Sequence, residues 1–276
     1  MENVNWPDFL AHQHQFQTND NVTLAYGDFG PASAQPIVLV GGYSSTQATW
    51  CLQVGPLVAA GYRVITFDRR NHGESQQVTY GKTLARHAVD LAELLAVLEI
   101  TQPILIGHSM GVSCIWSYIN LYTDANVKTI ISLDSSPKVL NDETWSTGMY
   151  GLTINSIAEC IQDFPHLKLT AGHLDILIKR ELGESNRQPF DFSQMQSLLL
   201  DSLTKDWRPV IGRITTPTLL VGASESSVCP ASHVDATQEL NPKYIKTHKI
   251  YNSGHLPHLE QSAEVNRELL NFLTAL

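Results

Sequence analysis

A chain of 276 residues, 43% hydrophobic and 16% charged, is long and apolar enough to bury a full core as one large domain or as one domain with an insertion. Its net charge of −9, with no run of Lys or Arg, argues against a nucleic-acid backbone as partner. Cys51, Cys114, Cys160 and Cys229 lie far apart with no CxxC pair, a pattern of reduced, buried thiols rather than a zinc site or a disulfide framework.

From Met1 to Trp6 there is no basic stretch followed by an apolar one, and no apolar run approaches the ~18 residues that span a bilayer, so the expectation is a cytoplasmic protein with no membrane partner. Residues 13–18 and 22–27, separated by Asn19-Asp20-Asn21, read as a hairpin covering one sheet edge. Residues 37–40 form an apolar strand that ends in Gly41-Gly42, where backbone can approach a ligand closely, and 50–60 has helical spacing. The strand at 62–68 leads into the turn Asp68-Arg69-Arg70-Asn71-His72-Gly73-Glu74-Ser75. Residues 84–98 follow, with apolar positions at 84, 88, 91, 94, 95 and 98 that make an amphipathic helix.

Pro103 opens a β-rich run that passes through Gly107-His108-Ser109-Met110-Gly111 into a helix over 112–122. Strands at 127–133, 218–221 and 245–251 and a last helix over 263–273 complete the pattern. Alternating strands and helices imply a parallel sheet covered on both faces, with ligands at the carboxyl ends of the strands. The segment 138–208 differs, holding helical patterns at 154–164, 173–182 and 195–203 but no strand, and reads as a helical cap inserted into a core formed by 1–137 and 209–276.

The strand-to-helix turn around Ser109 explains the glycines on either side: the serine backbone is strained, and side chains at 107 and 111 would strike the neighbouring strand and helix. Ser109 is thereby the candidate nucleophile; the plainer alternative is a serine capping an ordinary tight turn. His255, after Ser253-Gly254 and just beyond the last strand, is placed to take its proton as the candidate base.

These three stretches, Gly107 to Gly111, Ser253-Gly254-His255 and the turn from Asp68 to Ser75, resemble the α/β-hydrolase superfamily over residues 20–276. The resemblance implies an eight-stranded, mostly parallel sheet and the chain order nucleophile, acid, histidine. Asn71 stands where that family usually has a glycine, and Asn tolerates positive φ. Gly41-Gly42 replaces the family's common His-Gly, and the resemblance implies an oxyanion hole from the backbone N–H groups of Tyr43 and Met110. Two carboxylates compete for the acid: Glu225, in Gly222-Ala223-Ser224-Glu225 after the strand before the last, and Asp134, after the strand that follows the nucleophile helix. Asp134 is favoured, because an unpaired charge at the lip of so apolar a strand would be costly, while Glu225 lies in a Ser-rich loop. Gly42, His108, Trp145, Met149 and Tyr150 are candidate substrate contacts. His72 reads as structural, His258 as a cap of its loop, and Phe164 as core of the helical cap.

The expectation is a serine hydrolase that cleaves a small carboxylic ester, thioester or lactone through an acyl-enzyme, with no metal or organic cofactor. Three rivals use the same fold: a cofactor-independent dioxygenase that opens hydroxyquinolone rings, a cofactor-free haloperoxidase or perhydrolase, and a small-molecule receptor that keeps the pocket.

Overall fold

The structure, a computed structural model, describes residues 4–276; of the N-terminal reading above, Met1 to Asn3 lie outside the described residues. Eight strands form one sheet: β1 Gln13–Gln17, β2 Thr23–Phe29, β3 Pro36–Val40, β4 Arg63–Phe67, β5 Ile104–His108, β6 Thr129–Leu133, β7 Thr218–Ala223 and β8 Ile245–Ile250, in the order β1-β2-β4-β3-β5-β6-β7-β8. β1 pairs antiparallel with β2, and β2 with β4; every later pairing is parallel. This is the eight-stranded, mostly parallel sheet expected.

The apolar strands need cover on both sides because side chains alternate between faces. Val38, Val40, Ile65, Phe67 and Leu105 point into one core, and Ile37, Leu39, Val64, Ile104 and Ile106 into another. The first core is closed by α3 (Leu84–Val97) and α4 (Met110–Tyr122), which bury Leu84, Leu91, Ile115 and Trp116. The second is closed by α1 (Trp6–Ala11), α2 (Val54–Ala59) and, at the C-terminus, α11 (Ser262–Thr274), through Phe9, Leu57 and Phe272. Helix α1, capped by Asn5 in a reciprocal capping box with Asp8, was not read from the sequence.

Residues 134–217, between β6 and β7, carry α5 (Ile157–Asp163), α6 (Ile176–Glu184), α7 (Gln196–Leu203) and α8 (Arg208–Ile211). Helix α7 buries Leu198, Leu199 and Leu203 in the first core, whereas α5 buries no residue and α6 only Glu181. The short helices α9 (His233–Gln238), between β7 and β8, and α10 (Pro257–Glu260), after β8, complete the chain. Among the described residues no helix is long and apolar enough to cross a membrane.

Candidate active site

β5 ends at His108, and Ser109 takes φ 53° and ψ −125° before α4 begins at Met110. That backbone is costly for a residue with a Cβ, by about 1–3 kcal/mol, and persists only when its surroundings over-determine it. They do so here. The Ser109 N–H donates to the Leu133 carbonyl at 3.0 Å, which ties the turn to β6. A Cβ at Gly111 would sit 2.1 Å from the Val40 oxygen, and one at Gly107 2.8 Å from the Val112 nitrogen. The turn therefore closes only with glycine at both positions.

Asp134 follows β6 directly, with φ 46°. It is fully buried, and its N–H donates to the Val221 carbonyl at 2.7 Å. One carboxylate oxygen accepts from the Ala223 N–H at 3.0 Å; the other accepts from Ser226 Oγ at 2.6 Å and from His255 Nδ1 at 2.7 Å. Burial pushes this carboxyl up, but the facing His233 and His255 rings pull it down further, and the net result lies well below the ordinary carboxylate value. Asp134 is thus an ionised acceptor, and the proton on the shared bond belongs to His255 Nδ1. The other ring nitrogen, Nε2, is then left to accept from Ser109 Oγ, 2.8 Å away.

His255 is held from three sides. Its N–H donates to the Leu169 carbonyl at 2.7 Å, its own carbonyl accepts from His108 Nε2 at 2.7 Å, and its ring spans Asp134 and Ser109. Burial and the neighbouring His255 ring push His108 down to about 3, so it works as a neutral strut under the histidine loop. Glu260 secures the same loop, accepting from the N–H groups of Gly254, Ala171 and Gly172 at 3.0, 2.8 and 3.2 Å.

Two cavities meet at Ser109, and Tyr43 and His255 line both. The larger, about 260 Å³, joins hydroxyl and amide groups of Ser44, Ser45, Thr46, Thr49 and Asn186 to apolar walls from Leu169, Leu182, Leu256 and Leu259. The smaller, about 40 Å³, is walled by Val139, Met149, Phe164, Leu199 and Leu203. The Tyr43 ring packs edge-on against Phe164, Phe190 and Phe192 at centroid distances of 5.4, 4.8 and 5.9 Å. Among the described residues the Tyr43 N–H donates to no backbone carbonyl, and the Met110 N–H, first in α4, has no preceding turn to donate into.

Of the candidate contacts read from the sequence, Gly42, His108 and Met149 border these cavities. Trp145 and Tyr150 do not. Trp145 is buried, donates to Ser136 Oγ at 3.3 Å and lies under the Arg208 guanidinium, while Tyr150 is exposed beside a separate groove. Glu225 is exposed, and among the described residues its N–H donates to the Ser253 carbonyl at 2.9 Å while its carboxylate makes no hydrogen bond. Asn71 has the positive φ expected, 64°.

Sequence reading assigned no role to Ser226, His233 or Glu260. Ser226 lies next to Glu225 in the Ser-rich loop, and its contact with Asp134 spans 92 residues, so local spacing carried no sign of it. His233 is fully buried in α9, with Nε2 3.7 Å from Asp134 Oδ1. Together with Cys229 it forms, among the described residues, a trio of metal-capable side chains whose donor atoms lie within 4.8 Å of one another. Asp134 Oδ2 accepts two of the protein's hydrogen bonds and Oδ1 one, and these bonds hold the acid toward His255.

Residues 37–268 match the family model described as "Alpha/beta hydrolase family". The chain is similar to a non-heme chloroperoxidase of Burkholderia pyrrocinia, 42% identical over 94 residues that make up 34% of each chain. It is also similar to 3-oxoadipate enol-lactonase 1 of Acinetobacter baylyi, 24% identical over 256 residues covering 91% of this chain and 92% of that one. Its fold superposes on the esterase EaEST of Exiguobacterium antarcticum with a TM-score of 0.83, at 22% identity over 94% of this chain and 98% of the esterase.

Proposed function

The chain belongs to the alpha/beta hydrolase family, and from that premise we propose that it is a serine hydrolase cleaving small carboxylic esters, thioesters or lactones through an acyl-enzyme. The observation that carries this reading is the unbroken line from Ser109 Oγ through His255 to the buried carboxylate of Asp134, with bonds of 2.8 and 2.7 Å. Ser109 Oγ attacks the carbonyl carbon while His255 Nε2 takes its proton, and Asp134 stabilises the imidazolium that results. The Tyr43 and Met110 N–H groups receive the oxyanion. His255 then gives the proton to the leaving oxygen or sulfur, and water, deprotonated by the same ring, releases the acid and restores Ser109.

The two cavities support a division of the substrate. The smaller one, walled mainly by Val139, Met149, Leu199 and Leu203, takes a short acyl chain, and the larger one, where hydroxyl groups stand among leucines, takes the leaving group. The chloroperoxidase relative favours a second use of the same acyl-enzyme, in which hydrogen peroxide replaces water and the product is a peracid. Labelling with a fluorophosphonate tests the core of the proposal. Wild-type protein should gain one adduct by intact mass and Ser109→Ala none; equal labelling of both would overturn it. Peracid formation from acetate and peroxide would add the second use.

A further inference from the structure

Arg69, in the turn after β4, is 2% exposed, and among the described residues its guanidinium forms no ion pair with a carboxylate. The nearby Asp90 is taken by Arg70 and Arg86, at 2.6 and 2.7 Å. Arg69 donates instead to three neutral acceptors: the Gly42 carbonyl at 2.6 Å, His87 Nδ1 at 3.0 Å and His72 Nε2 at 3.1 Å. The tautomers agree with this. His72 Nδ1 lies 2.9 Å from the Arg70 carbonyl and donates to it, which frees Nε2 to accept. Burial, and after it the Arg69 charge, holds both His72 and His87 well below the ordinary histidine value. Burial brings Arg69 down only to about 10, so at neutral pH the cation is retained.

A buried guanidinium without a counter-ion is an expensive way to fill space, and an aliphatic side chain would pack there at lower cost. Its shortest bond indicates what the charge does. The Gly42 carbonyl belongs to the same peptide unit as the Tyr43 N–H, and in a trans peptide the two point in opposite directions. With Arg69 and the Ser45 N–H, at 3.2 Å, on the oxygen, the N–H end faces away from them, and Gly42 and Tyr43 both line the Ser109 cavity.

We infer that Arg69 is a positioning residue whose charge polarises and fixes the Gly42–Tyr43 peptide, making the Tyr43 N–H a stronger donor to the oxyanion formed on Ser109. A charge-assisted bond to a carbonyl draws electron density through the amide and strengthens the bond that its N–H makes, most of all where water is excluded. The effect grows as negative charge develops on the substrate oxygen, so it acts on the transition state more than on bound substrate. The inference rests on the acyl-enzyme reading above.

The test compares wild type, Arg69→Gln and Arg69→Lys in p-nitrophenyl acetate turnover and in binding of an aryl trifluoromethyl ketone, whose Ser109 adduct carries an oxyanion. The matching carbinol, which forms no adduct, serves as the control ligand. Arg69→Gln should lose about tenfold in kcat with KM within about twofold, less than the cost of deleting an oxyanion donor outright. Ketone affinity should fall by the same factor while carbinol affinity holds, and Arg69→Lys, which keeps the charge, should recover part of both losses. If Arg69→Gln does not accumulate as folded protein, Arg69→Lys decides alone: a selective loss of ketone affinity upholds the inference. A folded variant with unchanged ketone affinity, or with ketone and carbinol weakened together, would overturn it. A wild type that forms no Ser109-dependent ketone adduct would instead defeat the acyl-enzyme reading and this inference with it.

Discussion

Ser109, Asp134 and His255 sit just beyond the ends of strands, and in β5 and β6 every residue is buried. In the segment roofing them, α5 buries nothing and α6 only Glu181. The carboxyl end of the sheet is over-determined: each candidate residue is fixed by backbone pairing, by a strained φ that nothing nearby lets relax, or by several hydrogen bonds at once. The insert touches that end of the strands at a few points, Leu169 on the His255 N–H, Ala171 and Gly172 on Glu260 and Ser185 on Thr46, and otherwise supplies walls, mostly apolar, with Asn186 among them. Reacting atoms must be placed to within a fraction of an ångström, whereas a wall need only have the right size and polarity.

The contrast is sharpest for the two carboxylates first read as rivals. Asp134→Asn replaces the acceptor that fixes the His255 tautomer and should lower kcat/KM by about a thousand- to ten-thousand-fold. Glu225→Gln, on the exposed loop, should leave it unchanged in the same ester assay. A deep loss in Glu225→Gln would reverse the assignment.

Stability separates the two regions as well. Ile106→Ala removes a fully buried side chain from β5 and should cost about 2–5 kcal/mol, whereas Ile176→Ala, 75% exposed in α6, should stay within about 0.5 kcal/mol. Urea unfolding of the two variants measures both; similar losses would mean that the insert is packed as tightly as the sheet.

The carboxyl end of the sheet should also set the acid limit. His72, His87, His108 and His258 are buried and held, chiefly by burial, below their ordinary 6.5. The unfolded chain takes up these four protons near pH 6.5, and the folded one resists them to far lower pH. Their stabilisation is therefore complete above 6.5 and lost as pH falls. Asp68 opposes this: burial raises it from 3.8 to about 7, so the folded state keeps a proton that the unfolded state has released above 3.8. The histidines are half protonated in the unfolded chain at pH 6.5 and nearly fully at 5.5, so the net difference averages about two protons over that interval, about 3 kcal/mol, and Tm should drop by about 8 °C from pH 6.5 to 5.5. A flat Tm over that interval would contradict the neutral-histidine account.

A smaller effect is expected from the wall. Met149→Ala enlarges the small cavity and should raise hexanoate over acetate ester preference by about tenfold, with little change in the acetate rate. An unchanged chain-length profile would place the acyl group elsewhere.

The sheet was legible because its strands are short apolar runs ending in turn residues, and α3 because its apolar stripe is regular; its Thr83 cap emerged only in the structure. Ser109 and His255 were legible because local glycines and strand ends mark them. The choice of acid was less so, since it depends on which loop end meets a histidine 121 residues further along the chain. Tyr150 and Trp145 were read by residue type alone, and burial in the insert divides them differently: one packs under Arg208, the other faces solvent. Arg69 stood in a turn quoted for its glycine and asparagine pattern; only its bond to Gly42 shows where its charge acts.

The most direct test of the covalent account is a rapid-mixing experiment with p-nitrophenyl butyrate on wild type and Ser109→Ala. The account predicts a burst of p-nitrophenolate near one equivalent per chain in wild type and none in the variant, whose kcat/KM should fall by at least about 10⁴-fold. A burst that survives in Ser109→Ala would contradict it.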